Sequence, residues 1–159
     1  NPQGAVLDWG VPFTWRPVAL KGYMKYTPGT INRTSSAYSN MKGTTDKCQI
    51  VVLLTDWDKQ FHVNTSSGIF VDYQNDSHII AMGKLETDKT FSQYEAFTIP
   101  LEYRDITRTP KYAVIVTCSS YLGDYFTGAE GSVLYVDEFS FEYDISNLTS
   151  AEKSKGHYK

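Results

Sequence analysis

Two short stretches of the chain are apolar at successive positions: residues 48–55 (CQIVVLLT) and 112–118 (YAVIVTC). Neighbouring side chains of a strand point to opposite faces, so a segment apolar on both faces must be covered on both. Such segments belong in the middle of a sandwich. Residues 19–27 (ALKGYMKYT) alternate instead, with Lys21, Tyr23 and Lys25 on one side and Leu20, Met24 and Tyr26 on the other. That is a half-buried strand, ended by Pro28-Gly29. Residues 77–82 (SHIIAM) read as a further strand and 68–73 as a short one. In 91–103, Phe97, Ile99, Leu101 and Tyr103 share a face, and Pro100 marks an edge or a bulge. Residues 5–17 are aromatic and proline-punctuated, an edge strand followed by a loop. No segment shows a 3.6-residue period. Several strands without helices close most naturally as a two-sheet antiparallel β-sandwich or jelly roll.

The stretch 117–143 (TCSSYLGDYFTGAEGSVLYVDEFSFEY) organises the rest, joining two strand-like segments through a glycine-rich aromatic loop. After the loop, Val133, Tyr135, Phe139, Phe141 and Tyr143 form an apolar row interrupted by Asp137. With an unbroken register the Asp137 carboxylate points inward and needs a partner, since a buried isolated charge costs several kcal/mol. A β-bulge at Asp137-Glu138 would turn it back to solvent. Residues 30–47 contain almost no large apolar groups and read as a long loop, a length uncommon without a purpose. Asp56-Trp57-Asp58 reads as an exposed loop carrying a tryptophan.

At 159 residues and 41% hydrophobic content, the chain suits one domain with a substantial core. The domain is expected over 1–144, with 145–159 (ISNLTSAEKSKGHYK) as a tail. A net charge of −3 offers no basic footprint for nucleic acid. No run approaches the roughly 18 apolar residues of a membrane helix. The start lacks the pattern of a signal peptide, so residue 1 reads as a mature N-terminus or as a boundary. Together with the tail after Asp144, this leads to the expectation of a domain cut from a longer protein. Cys48 and Cys118 lie at the start and end of strongly apolar strands. They read as buried free thiols, with a bridge between antiparallel neighbours as the alternative.

Common catalytic signatures are absent: there is no GxSxG, HExxH, Walker loop or GxGxxG. Asp56-Trp57-Asp58 opens like a calcium loop, but Phe61 and Ser67 stand where glycine and glutamate are required. Asp124, Asp137 and Glu138 flank the organising loop and are the candidates for a glycosidase pair, which needs two carboxyls about 5–9.5 Å apart. His62, His78 and His157 lack a triad pattern and read as surface or satisfied histidines. Aromatics make up 14% of the chain, including 12 tyrosines. Tyrosine and tryptophan combine an apolar face with a polar tip, which suits sugar rings. Most will fill the core or its edges, and the loop-borne Trp15, Trp57, Tyr121 and Tyr125 are the stacking candidates, with Asp124 and Arg16 as polar partners. Asn32, Asn64, Asn75 and Asn147 each begin an Asn-x-Ser/Thr triplet, which matters only in a eukaryotic secreted protein.

Four segments together resemble the putative carbohydrate metabolism domain: PFTWRPVALKGYMKYTPG (12–29), IIAMGKL (79–85), FTIPLEY (97–103) and SSYLGDYFTGAEGSVLYVDEFSFEY (119–143). GDYFTGAEGSVLYVDE is the most specific part. The resemblance implies a galactose-binding or carbohydrate-binding-module type of jelly roll. It also implies a surface or secreted protein of glycan-degrading gut bacteria, one that is extracellular, periplasmic or an outer-membrane lipoprotein. Neighbouring β-domains and an oligo- or polysaccharide are the expected partners. The resemblance carries no catalytic residues over. The reading is therefore non-catalytic glycan binding, with a glycoside hydrolase and a structural or adhesive spacer as alternatives. No cofactor is expected, beyond a structural calcium that Asp8 with Asp137 or Asp144 could hold.

Overall fold

The computed structural model describes residues 4–144, and over them the chain is all-β. Its ten strands are β1 (Val6–Trp9), β2 (Val11–Pro12), β3 (Ala19–Thr27), β4 (Cys48–Thr55), β5 (Phe61–Asn64), β6 (Ile79–Thr87), β7 (Phe91–Pro100), β8 (Glu102–Tyr103), β9 (Tyr112–Cys118) and β10 (Val133–Glu142). They form three antiparallel sheets, ordered β2-β9-β4-β6-β8, β10-β3-β7 and β1-β5. The Asn147 triplet and the tail lie outside the described residues.

Of the two doubly apolar strands, β4 has the double cover expected of it. By contrast, β9 buries only Ala113 and Val114 and leaves Ile115 exposed, because it lies next to the short edge strand β2. Ile50, Val52 and Leu54 of β4 face the three-stranded sheet, packing with Leu20, Met24, Phe97 and Ile99. Val51 and Leu53 face the other way, against Trp57, Val71 and Val114, with Trp9, Phe61 and Tyr73 closing that layer. The five-stranded sheet is thus the middle of three layers, and the third layer is an addition to the two expected. Each fully buried Val, Leu or Ile contributes roughly 1.5–3 kcal/mol, so β4 alone is a major part of the core.

The segment that begins at Phe91 changes sheets. β7 is an edge strand of the three-stranded sheet, and two residues after its end β8 pairs with β6 in the five-stranded one. Pro100 sits at the switch, where its missing N–H costs no ladder bond. Residues 68–73 are not a strand: Gly68 is left-handed (φ 69°) at the end of the turn Thr65–Ser67, and the following residues run as loop. Of residues 5–17 only β1 and β2 are extended, both short edge strands.

The bulge reading of Asp137 is the one observed. Asp137 pairs with Tyr23 and Ser140 with Lys21, so Glu138 and Phe139 together oppose Gly22. Glu138 adopts φ 52°, and its N–H donates to Asp137 Oδ1 at 2.8 Å. The extra residue reverses the parity of the strand. Before the bulge, Leu134 and Val136 face the core while Val133, Tyr135 and Asp137 are exposed. Beyond it, Phe139 meets the edge of Phe97 and Phe141 packs on Phe13. The single apolar row from Val133 to Tyr143 is corrected accordingly: its first two members point to solvent.

Cys48 and Cys118 are free thiols. Cys118 pairs in register with Gln49, so its side chain lies on the opposite face from that of Cys48. No bridge can form across that pleat. Burial pushes the Cys48 thiol up to about 11 and raises that of Cys118.

A cleft beside an internally latched loop

The long loop 28–47 and the organising loop 119–132 are one assembly, and Asp46 is its centre. The residue is fully buried (0% exposed). Its Oδ2 accepts from Ser120 Oγ (2.5 Å), Ser132 Oγ (2.8 Å) and the Ala129 N–H (3.0 Å), and its Oδ1 from the Lys47 N–H (2.8 Å). A carboxylate removed from water keeps its charge tolerable only through such donors. Around it, Gly128 and Arg33 form an antiparallel bridge, the Ser35 N–H donates to Thr127 Oγ1, and Tyr26 Oη donates to the Ser119 carbonyl. Ile31 is buried beneath, and a short 3-10 helix (Ser36–Met41) carries Tyr38. The region that reads as a featureless loop is therefore tied down along its length.

This assembly holds one wall of a cleft of about 530 Å³, lined by Tyr73, Tyr121, Asp124 and Tyr125, with Gln49 and Cys118 on its floor. Asp124 and Tyr125 sit on the short 3-10 helix Gly123–Tyr125, closed by Phe126 in a left-handed conformation (φ 53°). Tyr125 is flanked by Tyr38 (centroids 5.1 Å apart) and Phe70 (6.1 Å, stacked), yet remains 48% exposed. Lys47 Nζ lies 5.4 Å from the Tyr121 ring centre.

The cleft has a distinct electrostatic character. Desolvation raises the Asp124 carboxyl above the ordinary carboxylate range, with no donor among the described residues bonding it. The Tyr73 phenol is raised by its own burial and further by the Asp124 charge. Gln49 Nε2, which also lines the cleft, donates to Glu86 Oε2 at 3.1 Å. Rings with hydroxyl tips and one poorly solvated acceptor can stack on a sugar and bond its hydroxyls.

Three of the residues expected from the sequence thus meet in one place: Tyr121, Asp124 and Tyr125. Trp57 does not join them. It is 5% exposed in the core beside Phe61, with its indole N–H donating to Asp76 Oδ2 at 2.8 Å, so it has no free face for a ligand. The exposed-loop expectation for it is corrected. Arg16 stacks over Tyr103 (4.7 Å) and donates to the carbonyls of Asp105 and Arg108, a clamp on the 105–108 turn. Trp15 beside it is exposed and does not line the cleft. Asp137 and Glu138 lie at the β10 bulge and do not line it either.

Asp8 accepts from or pairs with His62 at 2.8 Å, and His78 meets Asp56 at the same distance, so both histidines are satisfied. Asp137 is engaged by the Glu138 amide. Asp8 is on the β1-β5 pair and Asp137 on the three-stranded sheet; among the described residues no three acidic, His or Cys groups converge as metal ligands.

Sequence reasoning missed Asp46, Tyr38, Phe70 and Tyr73. The aromatics are hidden because their loops carry no periodic pattern. Asp46 could have been suspected from its place directly before the most apolar strand, where an acidic side chain can be carried into the interior.

Comparison with known proteins adds a family and a fold. Residues 1–142 match the family model described as a putative carbohydrate metabolism domain. A crystal structure of a putative glycoside hydrolase from Bacteroides thetaiotaomicron VPI-5482 superposes with a TM-score of 0.66 at 22% identity, over 87% of this chain and 41% of that one. A second, of a putative glycoside hydrolase from Bacteroides vulgatus ATCC 8482, gives 0.61 at 21% identity, over 82% and 54%. The chain thus spans about half or less of the length of either structure. No curated protein matches it.

Proposed function

The chain belongs to the putative carbohydrate metabolism domain family, and on that premise we propose that it binds a glycan without cleaving it. The fold type invoked is the jelly roll of carbohydrate-binding modules, and the site is the cleft of Tyr73, Tyr121, Asp124 and Tyr125. The observation that carries the reading is that, among the described residues, this aromatic cleft is lined by a single carboxylate, Asp124. Glycosidases of the common kind work with two facing carboxyls. The latch at Asp46 holds the stacking loop in place before any ligand arrives, which lowers the ordering cost of binding. A single sugar on so small a contact would bind at about millimolar affinity. A glycan-utilisation protein at the surface or in the periplasm, with neighbouring β-domains, is the setting that suits this role.

One observation favours a hydrolase: burial raises the Asp124 carboxyl, which is the direction a general acid needs. That reading requires a second carboxylate brought to the cleft from elsewhere. The spacer reading would have the loop aromatics packed, as Trp57 is, whereas Tyr125 is half exposed.

The test is a glycan-array screen of the purified domain with and without calcium, with product analysis on every hit. Binding without product, weakened about tenfold or more by Tyr125→Ala, supports the module. Product formation abolished by Asp124→Asn supports the hydrolase. Silence across the array favours the spacer.

A further inference from the structure

The outer face of the three-stranded sheet lies away from the cleft and carries its own aromatic surface. Because β10 reverses parity only after Asp137, Tyr135 points to solvent beside Lys25 of β3. Tyr94 of β7 stands on the other side of the same lysine. Lys25 Nζ is 5.5 Å from the Tyr94 ring centre and 5.6 Å from that of Tyr135. Tyr23, one pleat repeat along β3, adds a third ring, and the three are 43%, 49% and 55% exposed for Tyr23, Tyr94 and Tyr135. Tyr135 and Tyr94 are on the two strands flanking β3, so their backbones are about 10 Å apart, twice the spacing of paired strands.

The charges on this face are unequally committed. Lys21 is paired with Glu142 at 2.9 Å. Asp137 lies beyond the Tyr135–Lys25 pair, opposite Tyr23, and takes the Glu138 amide. Lys25 forms no ion pair among the described residues. Any chain that stacks on both Tyr135 and Tyr94 must cross over Lys25. Covering an unpaired ammonium is unfavourable unless the covering molecule brings an anion to it.

We propose that the outer face of the β10-β3-β7 sheet is a second glycan-binding platform, and that its occupant is an acidic polysaccharide. Sugar faces stack on Tyr135 and Tyr94, and a carboxylate or sulfate of the chain pairs with Lys25. The cleft and this platform are on different sheets, so neither depends on the other for its ligand.

The experiment is native affinity electrophoresis of the domain through gels containing polygalacturonate, alginate, chondroitin sulfate or a neutral β-glucan. Retardation by at least one acidic polymer is expected and should exceed that by the glucan. It should weaken about tenfold in Lys25→Gln and in the Tyr94→Ala/Tyr135→Ala double variant, fall with added salt, and persist in Tyr125→Ala. Tyr94 and Tyr135 are exposed and Lys25 is half-buried, so circular dichroism of each variant is run alongside to check that it folds. No retardation by any acidic polymer, equal retardation by the glucan, or retardation unchanged in the platform variants overturns the proposal. So does a concentration-dependent dimer lost in the same variants, which would mark a second copy as the occupant. Each of these results leaves the cleft reading standing, since that rests on Tyr125→Ala.

Discussion

Replacing Asp46 with Asn changes shape very little and tests the latch directly. In the native loop Oδ2 receives two hydroxyls and the Ala129 N–H, while Oδ1 receives the Lys47 N–H. An amide at this position keeps one oxygen. If that oxygen stays on Lys47, the NH2 faces three donors. Ser120 and Ser132 can rotate to accept from it, but the Ala129 N–H cannot, and it is buried. A buried donor left unsatisfied costs about 1–3 kcal/mol, and the loss of charge assistance in the other bonds adds to it. The sum is about 2–4 kcal/mol, out of the roughly 5–15 kcal/mol that holds a domain folded. At this chain length each kcal/mol moves Tm by about 2–4 °C, so the expected fall is about 4–16 °C. Urea titration should show a lower midpoint with an unchanged slope, and hydrogen exchange should quicken along 120–132 before it does in β4. A loss below about 0.5 kcal/mol, or an exchange increase spread evenly over the sheets, would refute the idea that this carboxylate holds the loop.

Three further outcomes follow from other sites. Gly22→Ala places a Cβ 2.7 Å from Phe97 Cζ and 3.1 Å from the Asp137 carbonyl; overpacking should cost about 1–3 kcal/mol in urea unfolding, and Phe97→Leu in the same chain should recover part of it. Trp57→Ala should destabilise by about 3–5 kcal/mol, as expected for a core residue, and its loss of glycan binding should track the unfolded fraction. Asp124 is raised by burial, so the folded protein holds its proton more tightly than the unfolded chain does. Ionised, it therefore works against folding, and Asp124→Asn should raise Tm at pH 7. The difference should shrink as pH falls through the folded carboxyl's range and vanish below the ordinary carboxylate value of about 3.9. A Tm gain independent of pH would refute this sign.

The strands were the legible part because each is decided by short-range chemistry. β3, β4 and β9 have the limits that period two and β-branched runs predict. Double burial of β4 was also readable, since an apolar residue at every position has no other tolerable environment. Tyr121, Asp124 and Tyr125 could be singled out because they share one glycine-rich loop.

Local residue pattern was enough for the class of fold, the strands of the core and one wall of the cleft. The rest came from contacts between segments far apart in the chain. The bulge at Asp137-Glu138 is allowed by the sequence but chosen by pairing with β3, and that one residue turns Tyr135 from a core candidate into part of an exposed platform. Trp57 looks like a loop tryptophan until the third layer closes over it. Asp46 looks like a solvated acid until four donors, three of them more than 70 residues away in the chain, surround it. Local patterning records which face of a strand is apolar, but not which distant segment will come to cover that face or satisfy a charge beside it.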